Sequence, residues 1–247
     1  MAYHSFASYY DRLTWDVDYP GRAAYFHALF ERFQTRKVEL LLDLACGTGS
    51  LSMELAKLGY DVIAVDGSED MLSEAMEKND GAYPILFLCQ QMEELDLYGT
   101  IDGAVCALDS LNHVTDPEKV RRILDKVSLF MNPGGIFIFD VNTVYKHREV
   151  LSESTFVYED DDLYCVWQNG PMDEDHCVEI ALDFFSFNGE SYDRESECFK
   201  ERAYPPEELE GWLQKAGMEV LGIFGDDTLE PPKADAQRLI FVTRKSE

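Results

Sequence analysis

The chain has 247 residues, 46% hydrophobic and 13% aromatic, enough to bury a sizeable core as one large domain or one domain carrying an insertion. Its 48 acidic and 21 basic residues give a net charge of -27, which repels polyanions and leaves no basic stripe, so RNA, DNA and anionic membranes are not expected partners. No apolar run approaches the ~18 residues of a membrane span, and the opening MAYHSFASYYDR has neither a basic nor an apolar targeting region, so a cytoplasmic location is expected.

In chain order, Tyr3, Phe6, Tyr10 and Leu13 fall at helical spacing, and a second apolar face (Tyr25, Phe26, Leu29, Phe30, Phe33) follows the break at Pro20 and Gly21. Helices are therefore expected within residues 1–36. The stretch LLDLACGTGS then reads as a buried strand closing on Asp43, a tight turn through Gly47 and Gly49, and a helix start. Glycine at those positions permits positive φ and a ligand's close approach to the main chain. Leu51, Leu55 and Leu58 line a short helix that Gly59 stops, and DVIAVD forms a second strand ending at Asp66. Ser68 caps the next helix, with Glu69 and Asp70 in its positive first turn.

Strands from Tyr83 to about Cys89 and from Ile101 to about Leu108 are nearly continuous in apolar residues, as strands covered on both faces are. A helix from Asp116 to Met131, with Pro117 at its first position, leads through Asn132-Pro133-Gly134-Gly135 to a strand at Ile136 to Val141. This alternation predicts an α/β doubly wound, mostly parallel sheet with helices on both faces. After Val150 the helical stripe disappears. β-rich runs between Thr155 and Tyr204 predict an antiparallel insertion of about four strands, with Glu159 to Asp162 as a solvated turn. A helix through Leu209, Trp212 and Leu213, ended by Gly217, and strands at Met218 to Phe224 and Arg238 to Arg244 complete the sheet. The six cysteines (Cys46, Cys89, Cys106, Cys165, Cys177, Cys198) show no metal-ligand spacing, so reduced core thiols and no metal site are expected.

A glycine turn with an acid ending the second strand suits dinucleotides and other adenosine cofactors alike, because that acid can accept both ribose hydroxyls. Asp66 lies 17 residues beyond Gly49, compatible with either class. A dinucleotide loop uses a third glycine for close helix packing beneath the pyrophosphate, and this chain has Ser52 there. Asp43 would also repel a pyrophosphate while suiting a cofactor with an ammonium and a sulfonium, as S-adenosylmethionine has.

LLDLACGTGS followed by VIAVDGSEDML resembles the first two motifs of the class I S-adenosylmethionine-dependent methyltransferases. The resemblance continues through FLCQQMEELDL, DGAVCALDSLNHV, NPGGIFIFDVN and PEELEGWLQKAG, and is closest to small bacterial members with a β insertion after the fifth strand. It implies a seven-stranded sheet of order 3-2-1-4-5-7-6. A Rossmann-like domain would comprise residues 1–150 and 205–247, with residues 1–36 covering the cofactor, and 151–204 would be a β insertion acting as substrate cover. By the same resemblance Asp43, Ala45, Gly47, Thr48 and Gly49 surround the methionine and ribose, and Asp66 takes the ribose diol. Gly67, Ser68 and Met71 would lie beside the adenosine, Gln91 and Met92 at the adenine, and Leu108 and Asp109 near the sulfonium. Gln91 stands where many relatives carry an acid, but its carbonyl can still accept from the adenine amine.

Tyr10, Asp109, His113 and Asp140, with Asn142 and Trp167, are the candidates to face the acceptor, since the first helix, the ends of strands four and five, and the insertion should converge there. Methyl transfer is an in-line displacement in which positioning dominates. The expected activity is methylation of a small molecule, an amine suiting the acidity slightly better than an anionic acceptor, by a monomer or homodimer. An NAD-type oxidoreductase and a noncatalytic S-adenosylmethionine-binding protein remain alternatives.

Overall fold

The computed structural model describes residues 4–225 and 228–246, with side chains from residue 7 onward. Helices α1 (His4–Leu13) and α2 (Tyr19–Phe33) precede β1 (Leu40–Leu44), α3 (Ser50–Lys57), β2 (Asp61–Asp66), α4 (Glu69–Asn79) and β3 (Leu86–Cys89). There follow β4 (Ile101–Cys106), α5 (Pro117–Phe130), β5 (Met131–Asn142), and the insertion strands β6 (Thr155–Asp160), β7 (Leu163–Asn169), β8 (Cys177–Phe187) and β9 (Tyr192–Arg202). The chain then returns through α6 (Pro206–Lys215), β10 (Met218–Gly225) and β11 (Arg238–Lys245).

The main sheet has seven strands in the order β10-β11-β5-β4-β1-β2-β3. Its first five strands in sequence pair in parallel, while β11 is antiparallel to both β5 and β10. This is the expected order. Successive residues of β1 serve opposite faces: Leu42 and Leu44 pack with α5 and α6, and Leu41 with Phe26 and Phe30 of α2 and Leu51 and Leu55 of α3. Burial on both faces explains the continuous apolar runs. Ser68 and Asp116 cap α4 and α5 as their positions predict, accepting from Met71 N and Glu118 N.

The insertion is a separate four-stranded sheet, β6-β7-β8-β9. Its core of Leu163, Cys165, Ile180, Leu182 and Phe184 is joined by Tyr9 and Leu13 of α1. The Tyr9 ring stacks on Phe184 with centroids 5.0 Å apart. The acidic run is the exposed turn expected between β6 and β7, and Arg12 donates to its Asp160 at 2.8 Å and Asp162 at 2.5 Å, linking α1 to the hairpin.

Other expectations need correction. Tyr3 and the side chain of Phe6 lie outside the described residues, and Tyr10 leaves the expected stripe for the glycine turn, where its Cε1 is the near neighbour of Gly47. β3 starts at Leu86 rather than Tyr83. Asn132 to Gly135 do not break the chain ahead of β5 but bulge within it, the register passing from Ile101↔Met131 to Gly103↔Ile136. Helix α5 correspondingly stops at Phe130. A π-helical turn at Lys146–Leu151, unmarked by periodicity, leads into the insertion. All six cysteines are free, but Cys89 and Cys198 are exposed rather than core. Among the described residues no helix is long and apolar enough to cross a membrane.

Candidate functional site

The glycine turn is built from alternating left-handed residues: Ala45 (φ 61°), Gly47 (φ 53°) and Gly49 (φ 75°). Asp66, at the end of β2, holds it. One carboxylate oxygen accepts from Gly47 N and the other from Ser68 N, both at 2.8 Å. Each oxygen keeps a second lone pair for a further donor. Burial raises this carboxyl above its usual range, with the backbone donors opposing the rise.

A cavity of about 800 Å³ opens over the turn, lined on one side by Ala45, Gly47, Asp66, Gly67, Met71, Gln91 and Met92 and on the other by Tyr10, Ser110 and His113. Gln91 Nε2 donates to the Gly67 carbonyl at 3.2 Å, leaving its own carbonyl available. A Cβ on Gly47 would meet nothing closer than Tyr10 Cε1 at 4.0 Å, so the turn presents bare main chain to the space. These features fit an adenosine cofactor: a free main-chain cradle, a strand-end carboxylate with spare acceptors, and apolar walls from Met71 and Met92.

Asp43 sits beneath the turn, 1% exposed, accepting from the Ser52 hydroxyl. It reaches a smaller second cavity that Tyr10, Tyr19, Thr48, Ala107 and Leu108 also line. Burial, with the neighbouring charge of Asp66, pushes its carboxyl up to about 7 against the Ser52 bond. The folded protein therefore holds a proton between roughly pH 4 and 7 that the unfolded chain, titrating near ~3.9, has released. The associated stability is complete below the lower value and lost as pH rises through about 7. Asp43→Asn removes this dependence. Its melting temperature without cofactor is expected to gain on the wild type between pH 5 and pH 8 by the equivalent of about 2–3 kcal/mol. A pH-independent difference in thermal unfolding would contradict that burial effect.

Thr48 and Gly49 face elsewhere than the large cavity. The Thr48 hydroxyl donates to Asp11 at 2.6 Å and accepts from Lys78 at 3.0 Å, tying the turn to α1 and α4. A Cβ on Gly49 would stand 3.0 Å from that of Ala75, so this glycine serves close packing of α4.

Beyond β4, Leu108 (φ 57°) and Asp109 (φ 52°) are consecutive left-handed residues. Asp140 makes that turn possible: it accepts from Leu108 N at 2.8 Å and Asp109 N at 3.1 Å. Arg238, from the start of β11, pairs with Asp140 and reaches Asp109 at 2.6 Å, while Arg22 of α2 stands 3.8 Å from Asp140. Asp140 was expected to face the acceptor, but it is fully buried with both oxygens engaged and lines neither cavity. Its carboxylate holds the Leu108–Asp109 turn. Burial alone would raise the Asp109 carboxyl, but Arg238, Lys146 and His113 outweigh it and hold the group well below the usual range. Burial similarly lowers Lys146, whose Nζ donates to Asn142 Oδ1 at 2.9 Å, and raises the Tyr10 phenol, with Tyr19 and Asp109 adding to the effect. The Trp167 indole donates to Asn169 at 2.7 Å, away from both cavities.

His113 does reach the large cavity, and Glu201 of β9 stands behind it at 3.5 Å. Glu201, Lys146, His147, Arg22 and Arg238 were not anticipated. A signal for Glu201 exists in the inward alternation Glu197-Phe199-Glu201-Ala203, where acids interrupt an apolar face.

A methyltransferase-domain family model matches residues 41–135. A Bacillus subtilis (strain 168) protein named as a methyltransferase, YqeM, is 37% identical over 100% of this chain and 98% of its own length. A crystal structure of an S-adenosylmethionine-dependent methyltransferase from Clostridium acetobutylicum ATCC 824 superposes with a TM-score of 0.89 at 31% identity, covering 99% of each chain. A glycine/sarcosine N-methyltransferase from Halorhodospira halochloris is 29% identical over 133 residues, 53% of this chain and 48% of that protein.

Proposed function

Since the chain belongs to the class I S-adenosylmethionine-dependent methyltransferases, we propose that its acceptor is a small-molecule amine, methylated by in-line transfer. The observation that carries this reading is the continuity of the 800 Å³ cavity, which joins the Asp66–Gln91 wall to the Tyr10–His113 wall in one space. That volume lies in the range of small-ligand sites, about 300–1,000 Å³. Asp66, Gly67, Met71, Gln91 and Met92 would hold the adenosine, and Asp43, Ala45, Gly47, Leu108 and Asp109 the methionine end. When bound, S-adenosylmethionine supplies an electrophilic methyl group on a sulfonium.

The protein's own part is alignment and exclusion of water. The left-handed turn at Leu108 and Asp109, pinned by Asp140, fixes the floor, and α1 with the insertion would act as the substrate cover. An amine agrees with the acidic surface, with the carboxylate and imidazole groups beside the cavity, and with the substrates in the name of the Halorhodospira relative.

Calorimetry is expected to show S-adenosylmethionine binding one-to-one and NAD not binding. Turnover to S-adenosylhomocysteine is expected with one or more members of a panel of small aliphatic amines that includes glycine and sarcosine. Binding of NAD alone would replace the reading with an oxidoreductase, and turnover confined to alcohols or thiols would overturn the amine assignment.

A further inference from the structure

Helix α1 is attached differently on its two sides. Toward the insertion it is apolar: Tyr9 and Leu13 pack on the insertion core, and the Tyr9 ring stacks on Phe184. Among the described residues, none of α1 joins either core of the seven-stranded sheet. Toward the glycine turn the helix is fastened by polar groups. One Asp11 oxygen accepts from the Thr48 hydroxyl at 2.6 Å, and the other pairs with Lys78 of α4. Lys78 Nζ also donates to Thr48 Oγ1 at 3.0 Å and to Ser50 Oγ at 2.9 Å. One ammonium therefore collects oxygens from α1, from the turn and from the start of α3.

Tyr10, the residue before Asp11, lines both cavities, and its Cε1 is the atom nearest to where a Gly47 side chain would begin. Its ring thus stands between the Asp66 wall and the Asp43–Leu108 floor. A cofactor with its methionine end on that floor lies beneath this ring, and its exchange requires α1 to move off the glycine turn. The line along which the helix can part is set by burial. Lys78 and Asp11 are 29% and 43% exposed at their side chains, so water and salt weaken their attraction, whereas Tyr9 and Leu13 must leave an apolar core to part from the insertion.

We propose that α1 is a strap over the methionine end of the bound cofactor, with Lys78 as its clasp, and that release of Asp11 from Lys78 gates both binding and departure of the cofactor. The proposal rests on the methyltransferase reading and adds to it the pair that sets the exchange rate. The strap turns on the Thr14–Asp18 link between α1 and α2 and moves with the β6–β7 hairpin, to which Arg12 holds it. Because the clasp joins groups of the protein alone, weakening it raises the open fraction with and without cofactor alike. Association and dissociation then accelerate together, and the equilibrium affinity stays where it was.

Rapid filtration of the full chain with tritiated S-adenosylhomocysteine reads both rates. Lys78→Met is expected to accelerate association and dissociation alike by about 2–5-fold, the scale of one exposed ion pair, with Kd within about 1.5-fold of wild type. At about 0.5 M NaCl the difference between variant and wild type shrinks, since salt screens the same pair. Arg12→Met removes the exposed pair on the insertion side of the same helix and is expected to leave both rates within about 1.5-fold of wild type, because the apolar contacts there persist. Should Lys78→Met not fold, Asp11→Asn opens the same clasp while its amide oxygen still accepts from Thr48. Equal rates in wild type and Lys78→Met, faster dissociation without faster association, or the same acceleration in Arg12→Met overturn the gate. Failure of the wild type to retain S-adenosylhomocysteine overturns the cofactor reading, and the strap with it.

Discussion

Asp66→Asn is expected to weaken S-adenosylmethionine binding by about 100-fold or more. The carboxylate does two jobs from one position, accepting from Gly47 N and Ser68 N at 2.8 Å while facing the cavity. Asparagine offers one oxygen. Its amide nitrogen must then oppose one of the two backbone N–H groups, donor against donor, so either the glycine turn or the first turn of α4 loses its anchor. In the proposed cofactor pose one ribose hydroxyl loses an acceptor as well. Hydrogen bonds to a charged group contribute about 1.5–3 kcal/mol each, so losing two of them gives the stated factor. Thermal unfolding without cofactor should move by only a few degrees, because the affected groups line the cavity and reach solvent or water when released. An affinity within about 5-fold of wild type would mean that the ribose is recognised elsewhere.

Much of this site could be read from the sequence because its parts are local. The strand-turn-helix grammar of LLDLACGTGS places Asp43 and Gly47, and the β2 end places Asp66, each within a segment whose apolar period and glycine punctuation set its geometry. The sheet order, by contrast, came from the resemblance to the class I methyltransferases, the alternation of elements giving only a mostly parallel sheet. What escaped depends on side chains meeting across long separations. Thr48 lines the smaller cavity, and the arrival of Asp11 and Lys78 from two other helices to engage its hydroxyl carried no signal in the sequence. Asp140 looked like an acceptor contact from its place at a strand end, and the arrival of Arg238 on the neighbouring antiparallel strand turned it inward. Glu201 belongs to an insertion strand with no periodic relation to the nucleotide-binding half. Arg12 and the acidic hairpin were each visible, and their pairing was not, because charge runs carry no register.

Arg238→Met is expected to destabilise the protein by about 3–5 kcal/mol, the cost of leaving a buried carboxylate without its cation. Asp140 is fully buried, and Asp109 is 17% exposed at its side chain, so neither can turn to bulk water when the guanidinium goes. Arg22, at 3.8 Å from Asp140, is too far for a good hydrogen bond. The damage should spread to the turn. Left-handed conformations at Leu108 and Asp109 cost about 1–2 kcal/mol each and persist because Asp140 accepts from both amides. If charge burial is the cause, Asp140→Asn should cost at least about 1 kcal/mol less in the Arg238→Met background than alone. Its amide nitrogen opposes one of the two turn N–H groups in both backgrounds, but the substitution removes an unpaired buried charge only where Arg238 is absent. A double-mutant cycle read by chemical denaturation separates the outcomes. Coupling near zero would assign the loss to the packing of the Arg238 stem, whereas strong coupling identifies Arg238 and Asp140 as one electrostatic unit holding the Leu108–Asp109 turn.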